Sequence, residues 1–158
     1  MTLQGTNSYL IGPQMGSRIL IDTTNRKPNL PKYLTELKAE FRRCQNNRPL
    51  QAVVCTHWHP DHTEGIEAVL NLADGFARDE KNPIPILKHP GGPDISRLGY
   101  FHGTFQDLQD GQSLSIPETS PNLSLRVFFT PGHSSDHICL QLEEGAQPSC
   151  LFTGDMIL

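Results

Sequence analysis

Thr56-His57-Trp58-His59-Pro60-Asp61-His62 places three imidazoles and a carboxylate within the six positions from His57 to His62. Neutral imidazole nitrogen suits zinc and other borderline divalent ions, and a carboxylate helps to offset the charge of a second ion nearby. The preceding Gln51-Ala52-Val53-Val54-Cys55 is too short for a helix and rich in β-branched side chains, so it reads as a buried strand. The ligand-type residues therefore sit where a strand ends. Pro60 disfavours helical geometry at His59 and stiffens the turn. His57 and His59 can then point one way while Asp61 and His62 come from the next bend, so one loop could serve two ions. A run of solvated histidines or an artificial tag is the plain alternative. The internal position, the interruption by Trp58 and Pro60, and the attached apolar strand argue against both.

A chain of 158 residues is enough for one domain with a real core. The 36% hydrophobic content, with 13 Gly and 13 Pro, implies a loop-rich globular protein, and no apolar run approaches the roughly 20 residues of a membrane span. A net charge of −4 argues against avid, non-specific binding to polyanions, while a local basic patch leaves RNA open as a partner. Cys44, Cys55, Cys139 and Cys150 are widely spaced with no C-x-x-C pair. They read as reduced thiols of an intracellular protein, cytoplasmic or mitochondrial. Cys55, two residues before His57, reads as a small apolar strand residue rather than a ligand.

Along the chain, Asn7 to Ile11 and Arg18 to Asp22 read as a hairpin around a Gly- and Pro-containing turn. Asp22 ends a buried run and needs hydrogen-bond partners, either as support for the histidine loop or as a strand-terminating turn residue. Leu30, Leu34, Leu37 and Phe41 recur at helical spacing behind Pro31, with Lys38, Arg42 and Arg43 at the far end, which predicts a helix covering a sheet. Ile66, Val69, Leu70 and Ala73 predict another. Ile84 to Lys88 reads as a strand running into a loop where His89 either lines a substrate mouth or is merely exposed. His102 has a weaker claim to a role. The aromatics of Tyr100 to Phe105 either wall a groove or pack beneath a loop. Gln112 to Ile116 pairs with Leu123 to Phe129 across a loop holding Pro117 and Pro121. The second of these strands delivers Thr130-Pro131-Gly132-His133, where Gly132 can supply the backbone freedom that aims His133 at the first loop. Asp136 and His137, starting the strand to Leu142, can each orient a ligand or contact the substrate. The last strand, Ser149 to Thr153, ends in Gly154-Asp155.

His57-x-His59-x-Asp61-His62 resembles the signature of the metallo-β-lactamase fold superfamily. Leu20-Ile21-Asp22-Thr23, Thr130-Pro131-Gly132-His133 and Phe152-Thr153-Gly154-Asp155 follow that family's order around it. Leu3-Gln4-Gly5-Thr6-Asn7-Ser8-Tyr9-Leu10, taken with the histidine loop, looks most like two of its groups: the β-lactamase-like endoribonucleases of mitochondria and the metallo-β-lactamase-type thioesterases of fungal polyketide pathways. Two departures stand out: Thr24 where the family usually has Gly, and Glu64-Gly65 where many members have two glycines. Glu64 then either solvates a helix start or narrows the pocket.

The resemblance implies an α/β (α+β) fold, the metallo-β-lactamase αββα sandwich, of which this chain is the N-terminal portion. Residues 1–158 would form a single domain incomplete at its C-terminus, since in the family a further His and a second half of the sandwich follow this Asp. An uncovered sheet face would expose apolar surface and favour association. The resemblance further implies that His57, His59 and His133 hold one Zn2+, while Asp61 and His62 begin a second site that shares Asp155. That makes two zincs in a complete site and one or two in this chain. Imidazole at His59, where diiron relatives typically carry Glu, favours zinc. The implied activity is hydrolysis by a metal-bound hydroxide, with Asp61 as the catalytic group that orients it or moves its proton. The first-ranked substrate is a small-molecule or carrier-bound acyl thioester. An endoribonuclease and a catalytically inactive remnant are the alternatives.

Overall fold

Ile19-Leu20-Ile21 and Ala52-Val53-Val54-Cys55 are apolar at every position, the pattern of strands covered on both faces. The computed structural model describes residues 5–45, 48–76, 80–93, 101–116, 119, 122–145 and 147–157. Its first sheet takes the order β1 (Tyr9–Ile11), β2 (Arg18–Ile21), β3 (Leu50–Cys55), β4 (Ile86–Lys88) and β5 (Phe105–Asp107). β1 runs antiparallel to β2, with Tyr9 opposite Ile21, and the other pairs are parallel. Helices α1 (Leu30–Phe41), α2 (Pro60–Thr63) and α3 (Ile66–Asp74) lie among these strands in sequence. The second sheet is an antiparallel meander of β6 (Ser113–Ile116), β7 (Leu123–Phe129), β8 (Ile138–Glu144) and β9 (Gln147–Phe152), followed by a 3-10 turn at Gly154–Met156.

The period-two alternation of β2 and β3 divides the core. Leu20, Val53 and Cys55 pack with Leu37 and Phe41 of α1 and with Ile66, Val69 and Ala73 of α3. Ile19, Ile21, Ala52 and Val54 pack on Leu125, Val127, Ile138 and Leu140 of the second sheet. Each fully buried Val, Leu or Ile contributes about 1.5–3 kcal/mol of apolar transfer. The result is a helix layer, a sheet and a second sheet, in that order.

The expected hairpin, the two helices, the strand pair and the single strands after them are present, with bounds differing by one to two residues at several ends. β5 was not foreseen. It starts at Phe105, whose ring meets that of buried Phe101 at 5.1 Å, so these two aromatics pack under a loop and do not wall a groove. Leu3, Gln4, Tyr100, Pro117 and Pro121 lie outside the described residues. Among the described residues no helix covers the outer face of the second sheet. That face exposes Phe128 and Leu151 beside the polar Arg126, Gln141 and Glu143, and the Arg126 guanidinium lies 5.9 Å from the Phe128 ring centre. All four cysteines are free thiols. No helix among the described residues is long and apolar enough to cross a membrane.

The Ile138 amide donates to the Thr56 carbonyl at 2.9 Å, joining the start of β8 in the second sheet to the end of β3 in the first. Around this seam lie the loop after β3, the loop after β7 and the turn after β9.

Candidate metal centre

β3 delivers Thr56 and His57 from its buried end, and His59, extended at φ −57 and ψ 146, leads into Pro60 at the start of α2. The proline sets the bend as anticipated, and the single helical turn after it carries Asp61 and His62. His133 comes from the loop after β7 and Asp155 from the 3-10 turn after β9. All six residues singled out from the sequence converge. One nitrogen or oxygen from each of His57, His59, His133 and Asp155 lies within 4.8 Å of the others, and the same holds for Asp61, His62 and Asp155.

Asp155 belongs to both groups through different oxygens. Its Oδ2 lies 3.6 Å from His133 Nε2 and 3.9 Å from His57 Nε2, while Oδ1 lies 3.3 Å from His62 Nε2. His59 Nδ1 is 2.9 Å from both His57 Nε2 and His133 Nε2.

Hydrogen bonds fix which ring nitrogens carry lone pairs. Thr56 Oγ1 donates to Asp22 Oδ2 at 2.7 Å, so it accepts from His57 Nδ1–H at 3.0 Å, leaving His57 Nε2 bare toward the cluster. His62 Nδ1 donates to Asp22 Oδ2 at 2.8 Å. His62 Nε2 is buried without a hydrogen-bond partner and faces Asp61 Oδ2 at 3.6 Å as well as Asp155. A lone pair set against two carboxylates needs a cation or a proton between them. The donor set of each group, imidazole nitrogen plus carboxylate oxygen, is one that zinc-class ions accept.

The electrostatics agree. Burial, reinforced by His62, His59, His137 and His133, pushes the His57 pKa from 6.5 down to about 2. Burial and then His133 lower that of His59, against the pull of Asp61 and Asp155. For His62, burial lowers the pKa but is outweighed by the hydrogen bond and charge of Asp22, with Asp155 and Asp61 adding, so it is raised. One site rejects protons and the other attracts positive charge.

Asp22 supports this arrangement. It sits at φ +56, a left-handed conformation that Asp tolerates better than most residues. Its Oδ1 accepts the Thr56 amide at 2.7 Å and its Oδ2 serves both Thr56 and His62. The loop-supporting reading of Asp22 therefore holds over the turn-residue one. Thr23 reinforces it, giving both its amide and its hydroxyl to the His62 carbonyl.

His137 accepts the Asp155 amide on Nε2 at 3.3 Å, so its Nδ1–H donates to Thr130 Oγ1 at 2.9 Å. It orients the turn that carries Asp155. Burial and then His133 lower its pKa, against Asp22, Asp155 and Asp136, which keeps the acceptor nitrogen bare. Gly154, at φ +50, allows the close approach, since a Cβ there would lie 2.6 Å from His137 Nε2. Gly132 has no such duty. Its φ is not positive and a Cβ would meet only Met156 at 3.5 Å, so the expectation that it aims His133 is corrected. The His133 loop is anchored instead by Asp136, which takes Lys88 Nζ at 2.6 Å and Ser134 Oγ at 2.8 Å in a buried pair.

Glu64 does not join the ligand groups; it lies between α2 and the start of α3, just before Gly65, and its carboxylate accepts the Arg26 amide at 2.9 Å. His89 stacks on Phe129 with ring centres 4.0 Å apart, and His102 is exposed; neither joins the ligand groups. Cys55 is fully buried, and burial raises its pKa well above the thiol range. Thr56, Thr23 and Thr6, the last donating to Asp61 Oδ2 at 2.7 Å, escaped the sequence reading because a hydroxyl has no spacing signature.

A model of the metallo-beta-lactamase superfamily matches residues 1–158, and the chain belongs to that superfamily. It is 35% identical over 157 residues to a beta-lactamase-like protein 2 homolog of Caenorhabditis elegans, covering 99% of this chain and 46% of that one. It is 32% identical over 161 residues to an atrochrysone carboxyl ACP thioesterase of Passalora fulva, covering 99% and 39%. The chain thus spans less than half the length of these relatives. Among solved structures, a metallo-beta-lactamase from Staphylococcus aureus matches with TM-score 0.63 and 27% identity over 97% of this chain and 40% of that one. A flavoprotein from Thermotoga maritima, with TM-score 0.66 and 19% identity over 87% and 30%, shares the fold.

Proposed function

We propose that the chain is the first part of a single metallo-β-lactamase domain and that this domain is a zinc-dependent hydrolase acting on acyl thioesters. The observation that carries the reading is the Asp155 carboxylate, which divides its two oxygens between two ligand groups. In this reading His57, His59 and His133 hold one ion, Asp61 and His62 hold the other, and Asp155 serves both. Zinc, when bound, supplies a strong nucleophile from water at neutral pH and polarises the oxygen it contacts.

The chain's own residues supply the rest. Asp61 orients the attacking water and takes its proton. Asp22 keeps the His62 lone pair aimed inward, and His137 fixes the turn of Asp155. His133 is exposed and His59 half-buried, so substrate approaches from their side, past Trp58, whose ring lies 4.7 Å from that of His59. A carrier-bound acyl thioester is the preferred substrate because a relative of this chain is an ACP thioesterase. A small acyl thioester uses the same chemistry. The net charge of −4 points the same way, and both zinc and an intracellular location, cytoplasmic or mitochondrial, belong to this proposal.

RNA cleavage is the second reading, resting on the resemblance of Leu3 to Leu10 and of the histidine loop to the β-lactamase-like endoribonucleases. The zinc-loaded protein, assayed for thiol release from acyl thioesters and for cleavage of single-stranded RNA, separates the readings. We expect thiol release that disappears in Asp61→Ala. RNA cleavage alone would select the second reading, and neither activity in a protein holding two zincs would mark an inactive remnant.

A further inference from the structure

The Gly5-Thr6-Asn7-Ser8 segment precedes β1 and contributes none of the six ligand-type residues, yet it bonds the Asp61 carboxylate and the backbone of Asp22 on the His62 side of the centre. Thr6 and Ser8 are two apart, the spacing that puts side chains on one side of an extended segment. Thr6 Oγ1 donates to Asp61 Oδ2 at 2.7 Å, and Ser8 Oγ donates to the Asp22 carbonyl at 2.8 Å. Because Ser8 spends its proton there, the Tyr33 hydroxyl 2.9 Å away must donate to Ser8. Burial raises the Tyr33 pKa to about 12, opposed by the Ser8 bond and aided by Asp22, which keeps the phenol a donor. Gly5 at φ +110 turns the chain just before Thr6.

Asp61 has no other hydrogen-bond donor than Thr6 among the described residues, although His62 Nε2 lies 3.6 Å from the same oxygen. Its carboxylate stands at the start of a one-turn helix with a 15% exposed side chain, free to rotate unless something holds it. We infer that Thr6 is a positioning residue, whose hydroxyl fixes the Asp61 carboxylate in the orientation that completes the group Asp61, His62 and Asp155. This rests on the reading of that group as a metal site. The Thr6 bond occupies one lone pair of Oδ2 and leaves the rest of the carboxylate for an ion and for a proton.

The test is titration of the metal-stripped protein with Co2+, followed by absorption and by competition with a chelator, for wild type, Thr6→Val and Thr6→Ser. Far-UV circular dichroism checks the fold, and Thr6→Ala replaces Thr6→Val if the latter does not fold. We expect the valine variant to bind the second ion about 10–100-fold more weakly, the range for lost ligand-supporting hydrogen bonds, with the first ion unchanged. Serine, which keeps the hydroxyl, should restore the affinity. Wild-type affinity for both ions in Thr6→Val, or equal weakening of both, would overturn the inference. If wild type itself takes up only one ion, the metal reading of the group fails and the inference with it, an outcome distinct because no variant is needed to see it.

Discussion

The two ligand groups that share Asp155 are held in opposite ways. Around His62 the protein supplies a fixed frame. Asp22 takes one ring nitrogen, Asp61 and Asp155 face the other, Thr6 holds Asp61, and the ring is 2% exposed. His59 and His133 contact mainly other rings, each other's and those of His57 and Trp58. Among the described residues Asp155 is the one anion paired with His133, and no hydroxyl or backbone group fixes either ring. The braced group is held by hydrogen bonds to the rest of the fold, whereas in the three-histidine group His57 alone is so held, through Thr56, and His59 and His133 rest against neighbouring rings. Binding and catalysis should therefore respond differently to damage on the two sides.

The largest effect tests whether both sides are needed at all: His57→Ala on one and Asp61→Ala on the other should each abolish turnover, and retained turnover in a steady-state assay would break the scheme. The next concerns the anchor of the three-histidine side. Lys88→Met leaves Asp136 charged and buried without its partner, which should cost about 3–5 kcal/mol in a urea unfolding curve. A double variant with Asp136→Leu should recover most of that loss. Asp22→Asn, on the braced side, should weaken the second ion about 10–100-fold and the first to a smaller extent, because Thr56 links Asp22 to His57 as well, read by cobalt titration. Gly154→Ala should cost about 1–2 kcal/mol for the left-handed backbone alone, with crowding of His137 added.

Acidity gives the smallest and most diagnostic difference. The unfolded chain takes up protons on histidine near pH 6.5, whereas folded His57 resists until about pH 2, with His59 and His137 shifted in the same direction. Below pH 6.5 the unfolded state binds more protons at these three rings, so they make the metal-free protein less stable as pH falls. His62, raised, contributes the opposite sign: its stabilisation is present at low pH and lost as pH rises through its folded value. Three rings against one predict a net loss of stability on acidification, seen as a falling urea midpoint. In His62→Gln that fall should steepen.

Much of this was legible in the sequence because the chemistry is local. His57 to His62 are contiguous, and the strand before them and the Pro60 bend after them follow from near-neighbour rules. His133 and Asp155 could be placed only through the family resemblance, because no local rule tells which distant loop folds back onto the first. Asp22 was balanced between two roles, since the partners that decide it, Thr56 and His62, are 34 and 40 residues away. Gly132 misled because glycine in a ligand-bearing loop suggests a special backbone, while the position that needs one is Gly154, pressed against His137. β5 was missed because three residues beginning with Phe105 carry no alternation to distinguish them from a packed loop.

The most direct test is zinc content per chain by elemental analysis of the purified protein. Two ions per chain is the predicted result, because Asp155 faces both groups and the braced group is formed in the fold. One ion or fewer would contradict it.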